Sequence, residues 1–205
     1  MSDVADPPMP ASDGRSPGHV LTVERLVECS EDDLHALCEA ATAGIIEGGG
    51  FGWVRPPGRN ALESYYRGLM LVPERELFVA RMDQVIVGSA QLVRPARNNE
   101  AQAFAANVMH VFIAPYARGH GLGHLLIRRV EEAARALGYH VLNLDVRETQ
   151  EEAIRLYESL GYVRWGVHPA YARVHGKTVR GYYYYKILKP SGSRATRSAP
   201  SEPNQ

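Results

Sequence analysis

An apolar run from Val108 to Ala114 leads into Arg118-Gly119-His120-Gly121-Leu122-Gly123-His124, and a strongly periodic segment leads out. Leu122, Leu125, Leu126, Val130, Ala133 and Leu137 recur at three- and four-residue spacing, which is one apolar face of a helix. Gly138 is a plausible helix stop, and Val141 to Val146 then reads as a short buried strand. Strand, glycine-rich turn, helix and strand make a βαβ unit. Such a unit places the turn at the carboxyl end of a strand, where open α/β sheets bind ligands. Three glycines at alternate positions leave backbone N–H groups uncovered at the positive end of a helix dipole. That arrangement suits a phosphate or pyrophosphate. An ordinary flexible loop is the plainer account of the glycines alone; the ordered elements on both sides weigh against it.

The chain has 205 residues, 45% of them hydrophobic, enough for one domain with a real core. Lys plus Arg and Asp plus Glu balance at 23 each, so no global field favours nucleic acid or an anionic membrane. Arg128 and Arg129 near the anion site are more simply a solvated helix face. Cys29 and Cys38 do not make a disulfide scaffold, and Cys38 fits an apolar helix face better than a nucleophile's role. The histidines lack ligand spacing, so no metal is expected. The N-terminus lacks a basic-then-apolar pattern and no apolar run approaches a membrane span, so the expected location is cytoplasmic.

Residues 1–18 and 190–205 are rich in Pro, Ser and other polar residues and read as disordered tails around a single domain, 19–189. Within it, Val20 to Glu28 reads as a strand. Ser30 and Asp33 cap a helix with the stripe Leu34, Leu37, Cys38, Ala41 and Ile45, which Gly48-Gly49-Gly50 ends. A loop from Phe51 to Arg59 follows. Asn60 and Glu63 suggest a second capped helix. A hairpin turns at Asp83, and Ala103 to Ala114 is a longer strand. After the βαβ unit, Thr149 and Glu152 fit a capping box for a helix to about Leu160. Val163 to His168 and Gly181 to Leu188 are closing strands.

The pattern resembles the GNAT superfamily of acyl-CoA-dependent N-acyltransferases. Val111 to Gly123 is similar to the family's strand and its pyrophosphate loop. Ala153 to Tyr162, with Leu156-Tyr157-Glu158 and the terminal Gly161-Tyr162, is similar to its late helix. The resemblance implies an α/β fold of mixed α+β character. Its central twisted sheet is mostly antiparallel, of about six to seven strands, with one late parallel βαβ crossover and about four flanking helices. It also implies acetyl-CoA as cosubstrate, held by the amides of Arg118, Gly119, His120, Gly121, Leu122, Gly123 and His124. The main chain of Val111, Phe112 and Ile113 would lie along the pantetheine and thioester. The expected reaction is direct attack by a primary amine, of a small molecule or a peptide, on the acetyl group.

That chemistry needs a neutral amine, a holder for the oxyanion and a proton for the departing thiolate. Strand N–H groups near Phe112 and Ile113 could hold the oxyanion if the sheet splays there. Tyr157 is the candidate general acid. A phenol (~10) is a weaker acid than a thiol (~8.5), so the transfer is uphill unless the site helps. Its plainer reading is a core aromatic on an apolar stripe. Family members often carry a glutamate on the strand before the loop; Asn107 stands there, and an amide takes no proton. His110 is the candidate base, with a buried, satisfied histidine as the duller account. Gln150 stands where the family often has Asn and could contact the cofactor through the same amide. Trp53, Arg55, His168, Tyr171 and the run Tyr182 to Tyr185 are candidate substrate walls. Homodimer formation is compatible with the sequence and not specified by it.

Two rivals remain open at this level. A non-catalytic acyl-CoA-binding module would explain the missing glutamate. A Rossmann-type dinucleotide enzyme would use Asp145 on ribose, although Gly-x-Gly-x-Gly is the wrong spacing for it.

Overall fold

The computed structural model describes residues 18–48 and 52–189. Apart from Gly18, the two expected tails lie outside the described residues, as do Gly49, Gly50 and Phe51. Seven strands form one sheet: β1 (Leu21–Arg25), β2 (Arg75–Met82), β3 (Val85–Val93), β4 (Ala105–Ile113), β5 (Val141–Arg147), β6 (Val163–Val174) and β7 (Lys177–Ile187). Their order is β1-β2-β3-β4-β5-β7-β6, and only β4 and β5 run parallel. Four α-helices accompany them: α1 (Glu31–Ile46), α2 (Arg59–Met70), α3 (Leu122–Ala136) and α4 (Glu151–Ser159). The expected mixed architecture is therefore observed.

Two apolar clusters sandwich the sheet. Leu34, Leu37, Cys38, Ala41 and Ile45 of α1 and Leu62, Tyr66 and Leu69 of α2 pack on one face, over Leu77, Val79, Ile86 and Phe112. Leu122, Leu126, Ile127, Val130 and Ala134 of α3 pack on the other, over Phe78, Ala80, Leu92 and Val108. β2 is covered on both sides, so it reads as a continuous apolar run. β5 is different. Leu142, Leu144 and Val146 are buried beneath α3, while Asn143, Asp145 and Arg147 alternate onto the opposite side. Both polar positions beyond Asn143 line a pocket there, so the strand is only half covered.

Ser30 caps α1 as expected: its Oγ accepts from the Asp33 N–H at 3.1 Å. The other two caps differ. Gly58 precedes α2 with no side-chain cap, and Glu63 instead takes an ion pair from Arg59 at 2.7 Å. Gln150 stands at the N-cap of α4 and its side chain donates elsewhere, to the Gly48 carbonyl at 3.0 Å. β6 and β7 run several residues further than expected. Pro169 argues against a strand, yet a register shift between His168 and Ala172 absorbs it, and His175-Gly176 supplies the tight left-handed turn. No helix among the described residues is long and apolar enough to cross a membrane.

Candidate active site

The parallel ladder of β4 and β5 is short. Ala105 pairs with Val141, Ala106 with Leu142 and Asn107 with Asn143, and there it stops although both strands continue. The cause lies on the other edge of β4. Ser89 pairs with Phe112 and Gln91 with Met109, so His110 and Val111 together face Ala90 alone. This is a β-bulge, and His110 takes the left-handed backbone at φ 50°. A bulge bends its strand and increases its twist, which swings the end of β4 away from β5.

The gap has a pocket at each mouth. The first, about 980 Å³, is lined by Val111 to Ile113, the glycine-rich turn and α4. The second, about 560 Å³, is lined by β4 at His110, β5 at Asp145 and Arg147, and β6 at Tyr171. Val111, Gln150, Ala153 and Tyr157 line both, so the two pockets meet at these residues.

The first pocket is built from main chain. Arg118 N–H donates to Pro115 O at 3.3 Å, and His124 N–H to Gly121 O at 3.1 Å, so the ends of the expected row serve local turns. Between them, the amides of Gly119 to Gly123 meet no acceptor among the described residues. Gly119 and Gly121 have φ near +80°, and a Cβ on either would project into open space. Glycine is required there by backbone conformation, and the space beside it is what a diphosphate would fill. These open amides, at the head of the fifteen-residue α3, fit the anionic part of acetyl-CoA.

The remaining residues expected at the cofactor fall around this cradle. Arg118, Leu122, Gly123 and His124 line the cleft. Arg118 also donates through Nε to Ile113 O at 3.2 Å. Ser159 Oγ spends its hydrogen on Leu156 O, so it accepts from His124 Nε2 at 2.9 Å, tying α3 to α4. His120 is the exception: its ring packs edge-on to His19 at 5.4 Å and it does not line the cleft. Strand alternation sorts the candidate oxyanion donors. Ala114 N–H bonds Val87 O at 2.8 Å, so Phe112 also turns its amide toward β3. Ile113 and Val111 then turn theirs to the unpaired edge.

Tyr157 is buried, its ring against Tyr162 and Tyr184. Burial, and then the nearby Asp145 carboxylate, push its phenol above the ordinary range. It stays protonated at any working pH. His110 is partly buried, and its Nδ1 lies 3.1 Å from Tyr65 Oη. Burial, then the Arg75 charge, hold it below the usual histidine range, with Asp145 opposing.

Sequence reasoning missed the far wall. Asp145, weighed only as a ribose ligand, lies in the second pocket rather than beside the glycines, which removes the dinucleotide reading. It accepts a hydrogen bond from Tyr171 Oη. Arg147 donates to Gly48 O at 3.0 Å, the same carbonyl that Gln150 reaches. Their signal was the alternation of polar and apolar residues from Leu142 to Arg147. Trp53 packs on Tyr65 at 5.1 Å and Arg55 is exposed; neither lines the pocket. The four tyrosines divide between the faces of β7: Tyr184 is buried beside Tyr157, and Tyr183 packs against Trp165 and Tyr171. Burial pushes the Cys38 thiol up to about 11, as suits a core residue.

Residues 46–162 match the family model described as the Acetyltransferase (GNAT) family. An Azospirillum brasilense protein described as an uncharacterized N-acetyltransferase in the hisH-hisA intergenic region is 60% identical over 130 residues, covering 63% of this chain and 77% of its own. The N-alpha-acetyltransferase RimI of Mycobacterium tuberculosis is 32% identical over 104 residues, covering 51% and 62%. In three dimensions the chain is similar to yncA of Salmonella typhimurium, a putative acetyltransferase solved with acetyl-CoA. The TM-score is 0.68 at 20% identity, over 87% of this chain and 98% of the other, which shows a shared fold.

Proposed function

Because the chain belongs to the GNAT acetyltransferase family and is an acetyl-CoA-dependent N-acetyltransferase, we propose that its two pockets divide the reaction between them. The first receives acetyl-CoA and the second a primary amine of a small molecule or peptide, all within a single domain spanning 19–189. The observation that carries this reading is the continuity of the two pockets through the parted strands, at Val111, Gln150, Ala153 and Tyr157.

The cosubstrate supplies an activated acetyl carbonyl. The amides from Gly119 to Gly123 hold its diphosphate, with Arg118 and His124 flanking them and His120 contributing main chain alone. The open edge of Val111 and Ile113 lies along the pantetheine arm, and their amides face the carbonyl oxygen as charge develops on it. Phe112 backs this edge by packing under α1, where its ring lies 3.2 Å from the place of a Cβ on Gly44. Gln150 spans the seam by holding Gly48 O, and its amide is near enough to both pockets to meet the cofactor arm. Tyr157 gives a proton to the departing thiolate. Its raised pKa keeps the hydroxyl intact, and the transfer becomes favourable only as negative charge gathers on sulfur. His110 meets the amine from the β4 side.

The test is release of free thiol from acetyl-CoA across a panel of primary amines. Turnover well above solvent hydrolysis with at least one amine is expected. Binding of CoA with no turnover for any amine would favour a non-catalytic acyl-CoA-binding module.

A further inference from the structure

The acceptor pocket sets His110 on β4 against Asp145 on β5, and Asp145 is the one carboxylate lining it among the described residues. A chain of hydrogen bonds reaches His110 from behind. Arg75 donates to Gln91 Oε1 at 2.8 Å, and a guanidinium can only donate, so this end of the buried Gln91 amide is its oxygen. The other end, Nε2, therefore donates to Tyr65 Oη at 2.8 Å. Tyr65 accepts there, and its Oη lies 3.1 Å from His110 Nδ1. Burial, and then the Arg75 charge, oppose a second proton on the His110 ring.

The carboxylate across the gap has the complementary character. Tyr171 Oη donates to Asp145 Oδ2, and the Tyr171 ring lies over Gly181 so closely that a Cβ there would sit 2.1 Å from it. The tether fixes one carboxylate oxygen and leaves the other to receive a hydrogen. Asp145 is near enough for its charge to act on both His110 and Tyr157.

We propose that Asp145 takes the proton from the attacking amine and that Tyr171 positions Asp145. This rests on the transferase reading above and names the residue that the reading leaves open. The neutral fraction of the amine attacks, its ammonium proton having gone to solvent, and the nitrogen–carbon bond forms as the carbon–sulfur bond breaks. A nitrogen bonded to the acyl carbon is strongly acidic, so a carboxylate suffices to take its proton. The thiolate receives one from Tyr157. Exchange with solvent then returns Asp145 to carboxylate and Tyr157 to phenol, leaving amide and thiol.

Kinetics on the full chain test this. Thiol release from acetyl-CoA is compared near pH 7.5 for ethanolamine, which is mostly protonated at that pH, and hydrazine, which is mostly neutral. Asp145→Asn keeps shape and the Tyr171 contact. It should lower kcat by about a hundredfold or more with both amines and leave CoA affinity intact. His110→Asn, tolerated at a left-handed backbone, should raise KM more than it lowers kcat. An Asp145→Asn enzyme as fast as wild type, a loss confined to ethanolamine, or a hundredfold kcat loss confined to His110→Asn would overturn it. If the wild type binds CoA yet turns over neither amine, it is the transferase reading that fails, and the assignment of Asp145 falls with it.

Discussion

Six of the seven residues from Arg118 to His124 line the pocket proposed for the cofactor, and what they offer is main chain. The pocket proposed for the acceptor offers side chains, and it gathers them from β4, β5 and β6 with a supporting chain through α2, β2 and β3. A site of backbone amides needs only the right conformation over a short stretch, so it is written locally. A site of side chains needs strands brought together by the whole topology. The first can be shared by enzymes that use one cofactor, and the second is free to differ with each acceptor.

Substitutions at the seam and on either side should break along this division. The largest effect is expected at the seam. Tyr157→Phe should lower kcat by roughly 10²- to 10⁴-fold, the range of a lost general acid, with CoA affinity unchanged by calorimetry. Gly121→Val should act on the cofactor side alone. A left-handed backbone costs a Cβ-bearing residue ~1–2 kcal/mol and the side chain enters the cradle, so CoA should bind ten- to a hundredfold more weakly. The KM for amine should not move. Tyr171→Phe is its mirror image: it removes the tether on Asp145 and should lower kcat/KM for the amine about tenfold, with CoA binding untouched.

The smallest expected effect concerns pH. Folded His110 is held below the value it has when unfolded, by burial first and Arg75 second. Between those two values the unfolded chain binds a proton that the folded chain refuses. Stability from this group is therefore complete above the ordinary histidine range, ~6.5, and is lost as pH falls through it toward the lowered value. Denaturant midpoints at pH 7.5 and 5.5 should fall less steeply in His110→Asn than in wild type. An equal fall would place the acid sensitivity elsewhere.

The division also explains what the sequence discloses. The α3 stripe, the glycines at 119 and 121, and the Ser30 cap are short-range patterns, and each appears where spacing places it. Asn107 marks the last rung of the parallel ladder, but nothing near it announces that β4 and β5 part there. The parting follows from a bulge visible only when β3 is laid beside β4. The sequence marks His110 as the candidate base. Its setting depends on Tyr65, Gln91 and Arg75, which no local pattern connects to it. Asp145 sits in an alternating strand whose polar face has meaning only once β6 carries Tyr171 across it. Glu63 and Thr149 show the converse: cap-like spacing was present, and an ion pair with Arg59 or the placing of Gln150 at the helix start took precedence.

The central claim is that the open amides between Gly119 and Gly123 grip a diphosphate and so aim the acetyl group into the gap. Calorimetry of the wild-type protein with CoA and with pantetheine, which carries the same thiol arm and no diphosphate, tests it most directly. Hydrogen bonds to charged groups contribute ~1.5–3 kcal/mol each, so CoA should bind at least about a hundredfold more tightly than pantetheine. Equal affinity for the two, or no uptake of CoA, would contradict the account.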